Sequence, residues 1–419
     1  MKVLIKQARI ISLSSPFNGQ SKDILITDGI ISSIANDINE EADHIIEQQG
    51  LHVSIGWIDV FADFGDPGFE FKETIVSGAA AAAAGGFTDV MLIPNSSPVV
   101  DNKSQVEYII QKAKDLAVTI HPIGAVTKNA EGKELSEMYD MYHSGATAFG
   151  DGITTIQNAG LLVKALQYVK TIDGTIIQIP DDNSIGNHGL INEGIISTQL
   201  GIPGKPALAE ELMVARDIKL ARYTDSKIHF TGVSTEKSLE YIKRAKEAGL
   251  KITCSVTPYH CCFCDEDLVT YDTNLKVNPP LRNRSDMMAI RKALLQGSVD
   301  CIASHHLPQN WDNKACEFEY AKNGMTGLET MFAVMMSIGC TVDNFVEMQT
   351  IAARNIFSVP VPEIKEGFAA SLSLFCPDAE FVYEEKDIRS KSKNSPFIGK
   401  KFKGKVFGII NKNRIQLNN

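Results

Sequence analysis

Two groupings in this 419-residue chain hold residue types that bind metals or move protons: the adjacent pair His305-His306, and the cluster Cys261, Cys262 and Cys264. A catalytic zinc ion takes about three protein ligands and keeps one position open for the water it acidifies. Neither grouping supplies that. Neighbouring residues on a strand point to opposite sides, so His305 and His306 cannot share an ion there. The cysteines make no C-x-x-C pair and have no matching distal cluster, so they read as small, buried, apolar side chains after a strand.

The elements that would position such residues alternate along the chain. Short apolar runs at 53–64, 88–94, 119–126, 146–149, 175–179, 227–233, 251–256 and 299–304 read as strands. Helix-like segments follow nearly all of them, for example 205–223 and 235–248. Eight such units make a closed (β/α)8 barrel, in which chemistry sits at the carboxyl ends of the strands. An open doubly wound sheet is the alternative, but no G-x-G-x-x-G follows the first strand. The ends of the chain differ. Runs 2–6, 23–27 and 30–34 are short and β-like, the last two joined by the hairpin signal Asp28-Gly29. Runs 371–375 and 405–410 are similar. The predicted division is a small β-sandwich from 1–52 plus 365–419 and a TIM barrel over 53–364, an α/β fold overall.

With 44% hydrophobic residues the chain can bury a large core and a smaller one. A formal net charge of -10 argues against nucleic acid or an anionic membrane as partner. The small-residue run 79–86 is too short to span a bilayer, and residues 1–11 lack the apolar stretch of a signal peptide. Eight scattered cysteines predict a reducing, cytoplasmic setting.

The segment 56–68, GWIDVFADFGDPG, resembles the first barrel strand of dihydroorotases and related cyclic amidohydrolases. The likeness continues in family order through Lys72-Glu73-Thr74, Gly85-Gly86-Phe87-Thr88, Pro94-Asn95, Val233-Ser234-Thr235, Asn278-Pro279-Pro280-Leu281-Arg282 and Gly327-Leu328-Glu329-Thr330. It covers nearly the whole chain. The resemblance implies a zinc site with an activated water, and the matching positions depart from it. The first strand of the family carries His-x-His; here those positions are Phe61 and Asp63. The substrate-gripping arginine two residues further on is Gly65, and the histidines after strands five and six are Ile179 and Gly232. The catalytic aspartate after strand eight is His305. Asp151 matches a bridging acidic ligand across a one-residue deletion, while Asn95 and Asn278 match positions near substrate and read equally well as loop-capping residues. His229 lies three residues before Gly232, and its parity predicts a packed side chain on the other face of the strand.

With only Asp63, Asp151 and His305 left as donors, no zinc or other cofactor is expected. The resemblance then implies a non-catalytic dihydroorotase-like protein, forming homo-oligomers and partnering aspartate transcarbamoylase in pyrimidine synthesis. The rival readings are an active dihydroorotase with a rebuilt metal site, and a small-molecule-binding relative.

Overall fold

The computed structural model describes residues 1–418. Eight parallel strands pair in sequence order: Trp57–Ala62, Phe87–Leu92, Thr119–Gly124, Ala148–Phe149, Thr175–Gln178, Lys227–Phe230, Ile252–Val256 and Cys301–Ile302. The last reaches back to the first through a parallel bridge between Ala62 and His306, where the Asp63 N–H donates to the His306 carbonyl at 2.8 Å. Asp59 fastens the same seam. Its carboxylate accepts the Ser304 N–H and O–H, each at 2.7 Å, in a fully buried position.

The barrel interior is filled by side chains, as a closed parallel sheet requires. Val60, Met91, Ile123, Ile177, Cys301 and Ala303 are all buried there. Helices lie outside. The first, Ile75–Ala84, is built of small residues, so it can approach the sheet closely; a Cβ on Gly78 would stand 2.3 Å from the Phe64 ring. Thr74 starts that helix by accepting the Ser77 N–H at 3.0 Å.

Strands from both chain ends join in one eight-stranded sheet, with Lys2–Ile11 beside Ser21–Thr27 on one side and Ser371–Val382 reached through His52–Ile55 on the other. The run 53–64, read from sequence as one strand, is therefore two. Residues 52–55 pair with the terminal sheet, and the barrel strand begins at Trp57. Gly56 is the crossing point: a Cβ there would lie 2.0 Å from Thr88 Oγ1 and 2.6 Å from Ser371 Oγ, because both sheets close on it.

Candidate functional site

At the carboxyl ends of the strands, where a barrel enzyme places its chemistry, two rings face each other. Phe61 stacks on His305 with centroids 4.5 Å apart, and both are buried. Ile179 packs in the same apolar cluster as Phe61. Gly232 makes room for the imidazole: its φ is +70°, and a Cβ would stand 2.6 Å from His305 Cε1. His305 itself has φ 42°, a conformation uncommon outside glycine. Its Nε2 is hydrogen-bonded to Thr231 Oγ1 at 2.8 Å, and its Nδ1 is buried without a partner among the described residues. Burial pushes the imidazole down to about 3, so it is neutral near pH 7.

The two candidate acids are turned to other work. Asp63 accepts the Gly65 N–H at 2.8 Å. Gly65 has φ +61°, and any Cβ would meet the Phe69 carbonyl at 2.9 Å, so this turn rejects a side chain where the resemblance implies an arginine. Asp151 is buried, with one oxygen taking the Thr127 N–H at 2.9 Å and the other the Thr127 O–H at 2.6 Å. Burial raises both carboxyls above their ordinary range. Among the described residues, no group of three or more His, Cys, Asp and Glu side chains is placed to hold a metal ion. The zinc that the resemblance implies does not fit this donor set. One imidazole is stacked and hydrogen-bonded, one carboxylate is saturated by a threonine, and the other lies in a tight turn.

The asparagines are occupied as well. Asn95 donates to the Asp151 carbonyl at 3.1 Å and accepts the Ile153 N–H at 3.0 Å, holding the loop after strand four. Asn278 accepts from Lys205 Nζ at 2.9 Å and donates to Asp181 Oδ2 at 3.2 Å. Lys205 and Asp181 close that trio at 2.6 Å. Sequence reasoning missed Lys205, reading it as the start of a helix. It lies instead on the short strand Gly204–Lys205 and the helix begins at Leu208, so only its place between glycine and proline could have signalled a break before the helix.

His229 corrects an expectation. Counting from Gly232 puts it on the outer face, yet it pairs in register with Ile177 and Thr253 and lies inside the barrel. The strand ends at Phe230, and the left-handed Gly232 breaks the alternation on which the count relies. His229 Nδ1 meets Thr253 Oγ1 at 2.9 Å and Nε2 meets Ser255 Oγ at 3.0 Å. Ser255 donates to Thr231 at 2.9 Å, so a hydrogen-bonded column runs from Thr253 to His305. Burial pushes His229 down to about 3, as for a neutral, packed ring.

His305 and His306 diverge. His306 faces Phe64 and the buried Glu73, with Nε2 3.6 Å from Glu73 Oε2, and its Nδ1 accepts the Gly327 N–H at 3.2 Å. Glu73 also binds Ser390 and the Lys391 backbone, tying the C-terminal segment to the first strand-to-helix loop. Cys261 and Cys264 are buried and Cys262 half-buried, and burial raises all three thiols, which leaves them protonated and poor as ligands.

A parallel barrel carrying a β sheet from both termini is the architecture of the cyclic amidohydrolases. The fold is similar to L-hydantoinase (dihydropyrimidinase) from Arthrobacter aurescens, with a TM-score of 0.84 at 20% identity over 99% of this chain and 95% of that one. Dihydropyrimidinase from Brevibacillus agri NCHU1002 gives 0.83 at 18% identity, over 100% and 95%. Residues 52–238 match a family described as Dihydro-orotase-like. The chain is 37% identical to a dihydroorotase of Syntrophus aciditrophicus (strain SB) over 99% of both chains. It is 39% identical to one of Acetivibrio thermocellus over 97% of this chain and 96% of the relative. The chain belongs to the dihydroorotase family.

Proposed function

We propose that this chain is a dihydroorotase-family protein of pyrimidine biosynthesis that performs no turnover of its own and serves as a structural or regulatory partner of aspartate transcarbamoylase. The observation that carries the reading is the Phe61–His305 stack. It fills the strand ends with two rings where a hydrolase of this fold needs a metal, a water and open space. The loop-setting parts of the frame persist around it, including the Glu73 anchor and the Asn95 and Asn278 loop contacts. A scaffold without a working centre is explained by an interface. The transcarbamoylase is the chosen partner because its product is the compound a working dihydroorotase consumes.

The test is to produce the two chains together and apart, then compare elution and transcarbamoylase activity. Co-elution, with a transcarbamoylase that is unstable or weakly active alone, supports the reading. Independent elution, with a fully active transcarbamoylase, removes it.

A further inference from the structure

On the carboxyl-end face of the barrel, the first and last strand-to-helix loops meet the C-terminal segment around a cavity of about 470 Å³. Its lining includes Phe71, Trp311, Lys314, Lys391 and Lys393, with Glu385 as the one acidic residue. This cleft is separate from the Phe61–His305 centre, none of whose residues line it.

Its chemistry has two halves. One is aromatic: Trp311 is 78% exposed and Phe71 55% exposed. They stand on different loops of one cleft. The other half is cationic. Lys314 is only 8% exposed, and its Nζ donates to the Thr273 carbonyl at 2.8 Å. Lys391 donates to the Glu70 carbonyl at 2.6 Å, and Lys393 to the carbonyls of Ile388 and Ser390 at 2.6 and 3.1 Å. All three ammonium groups are thus held by backbone carbonyls, none has a carboxylate partner among the described residues, and each keeps a donor free. In a chain with net charge -10, these three lysines, none in a direct ion pair among the described residues, give the cavity a locally basic lining, with the carboxylates of Glu70, Asp272 and Glu329 further off. Burial, with Lys276 alongside, holds Lys314 down to about 7, and a bound anion would restore its charge. Asn310 Oδ1, also at this cavity, is buried with no hydrogen-bond partner among the described residues, and it is free to accept an N–H.

A flat ring beside an anion is what such a cleft fits, because aromatic side chains stack on nucleobases and lysines take phosphate. A cavity of this size is also in the range of small-molecule sites. We propose that the cavity binds a nucleoside phosphate, its base against Trp311 and Phe71 and its phosphate on Lys314, Lys391 and Lys393. This goes beyond the assembly reading and is tested on the isolated chain, so each can fail without the other.

The chain holds two tryptophans, Trp57 fully buried and Trp311 exposed, so quenching of exposed tryptophan fluorescence reports on this cleft. The full-length protein is titrated with uridine monophosphate, adenosine monophosphate, uridine and inorganic phosphate. At least one nucleotide is expected to quench at concentrations tenfold or more below those needed for uridine or phosphate. The double variant Lys391→Met with Lys393→Met should raise that concentration tenfold or more, and Lys314→Met should do the same if its melting profile shows it folded. Phe71→Ala should weaken nucleotide binding and leave phosphate binding unchanged. No quenching by either nucleotide into the millimolar range overturns the proposal. So does phosphate binding as tightly as the nucleotides, or nucleotide binding that is unchanged in the Lys391/Lys393 double variant.

Discussion

The Phe61 ring lies against the His305 imidazole with planes 30° from parallel, and Gly232 borders that imidazole at Cε1. Every donor expected at this place is replaced or committed elsewhere. Protein purified without chelator should therefore carry far less than one zinc per chain by elemental analysis. Stoichiometric zinc at the barrel mouth, lost on changing Asp63 or Asp151, would show that the donors rearrange to hold it.

Activity should not return by restoring the first strand alone. Phe61→His combined with Asp63→His leaves Gly65, Ile179, Gly232 and His305 in place, so cyclisation of carbamoyl aspartate should stay at background with zinc added. The unmodified protein should be equally inactive. Measurable turnover by it, abolished by Asp151→Ala, would establish the rebuilt-site alternative.

Asp59 gives a pH signature. Burial pushes its carboxyl from 3.8 up to about 6, although Ser304 donates to both oxygens. Between those values the folded state keeps a proton that the unfolded chain has released. This contribution is fully present below 3.8 and is lost as pH rises through about 6. It amounts to on the order of 3 kcal/mol. Asp59→Asn keeps a neutral group of the same size, so its urea stability should fall less between about pH 4 and about pH 7 than that of the parent. His229 and the other titrating groups are common to both proteins and cancel in the difference. Parallel profiles would mean that Asp59 is not desolvated.

The barrel was legible because its strands are short apolar runs separated by helical stretches, and the Asp28-Gly29 turn marked a hairpin that forms as read. The strand split at Gly56 was not legible, since apolar residues continue on both sides and only the meeting of two sheets divides them. Parity failed at His229 for a related reason: alternation holds within a strand, and Gly232 lies past the end of one. The resemblance singled out Phe61, Ile179, Gly232 and His305, but not how they sit together. Nothing in the residue order says that Phe61 and His305, far apart in the chain, lie ring on ring, or that Asp151 is satisfied by Thr127.

That pairing makes Gly232 and His305 a matched set, and the match is measurable. Gly232 sits at φ +70°, so any side chain there costs on the order of 1–2 kcal/mol in backbone strain alone. Its Cβ would also stand 2.6 Å from His305 Cε1 and 3.2 Å from Nε2. The imidazole has little room to retreat, with Phe61 stacked on it and Thr231 bonded to Nε2. Gly232→Ala should therefore cost roughly 2–4 kcal/mol in urea unfolding, the strain plus an overpacking cost. His305→Ala removes the ring and leaves a cavity, but it also removes the clash. When both changes are combined, the substitution at Gly232 should contribute only its backbone strain, so the combined loss should fall short of the sum of the two by at least about 1 kcal/mol. Strict additivity would mean that the ring moves away freely, and the strand ends would then be looser than a stacked pair allows.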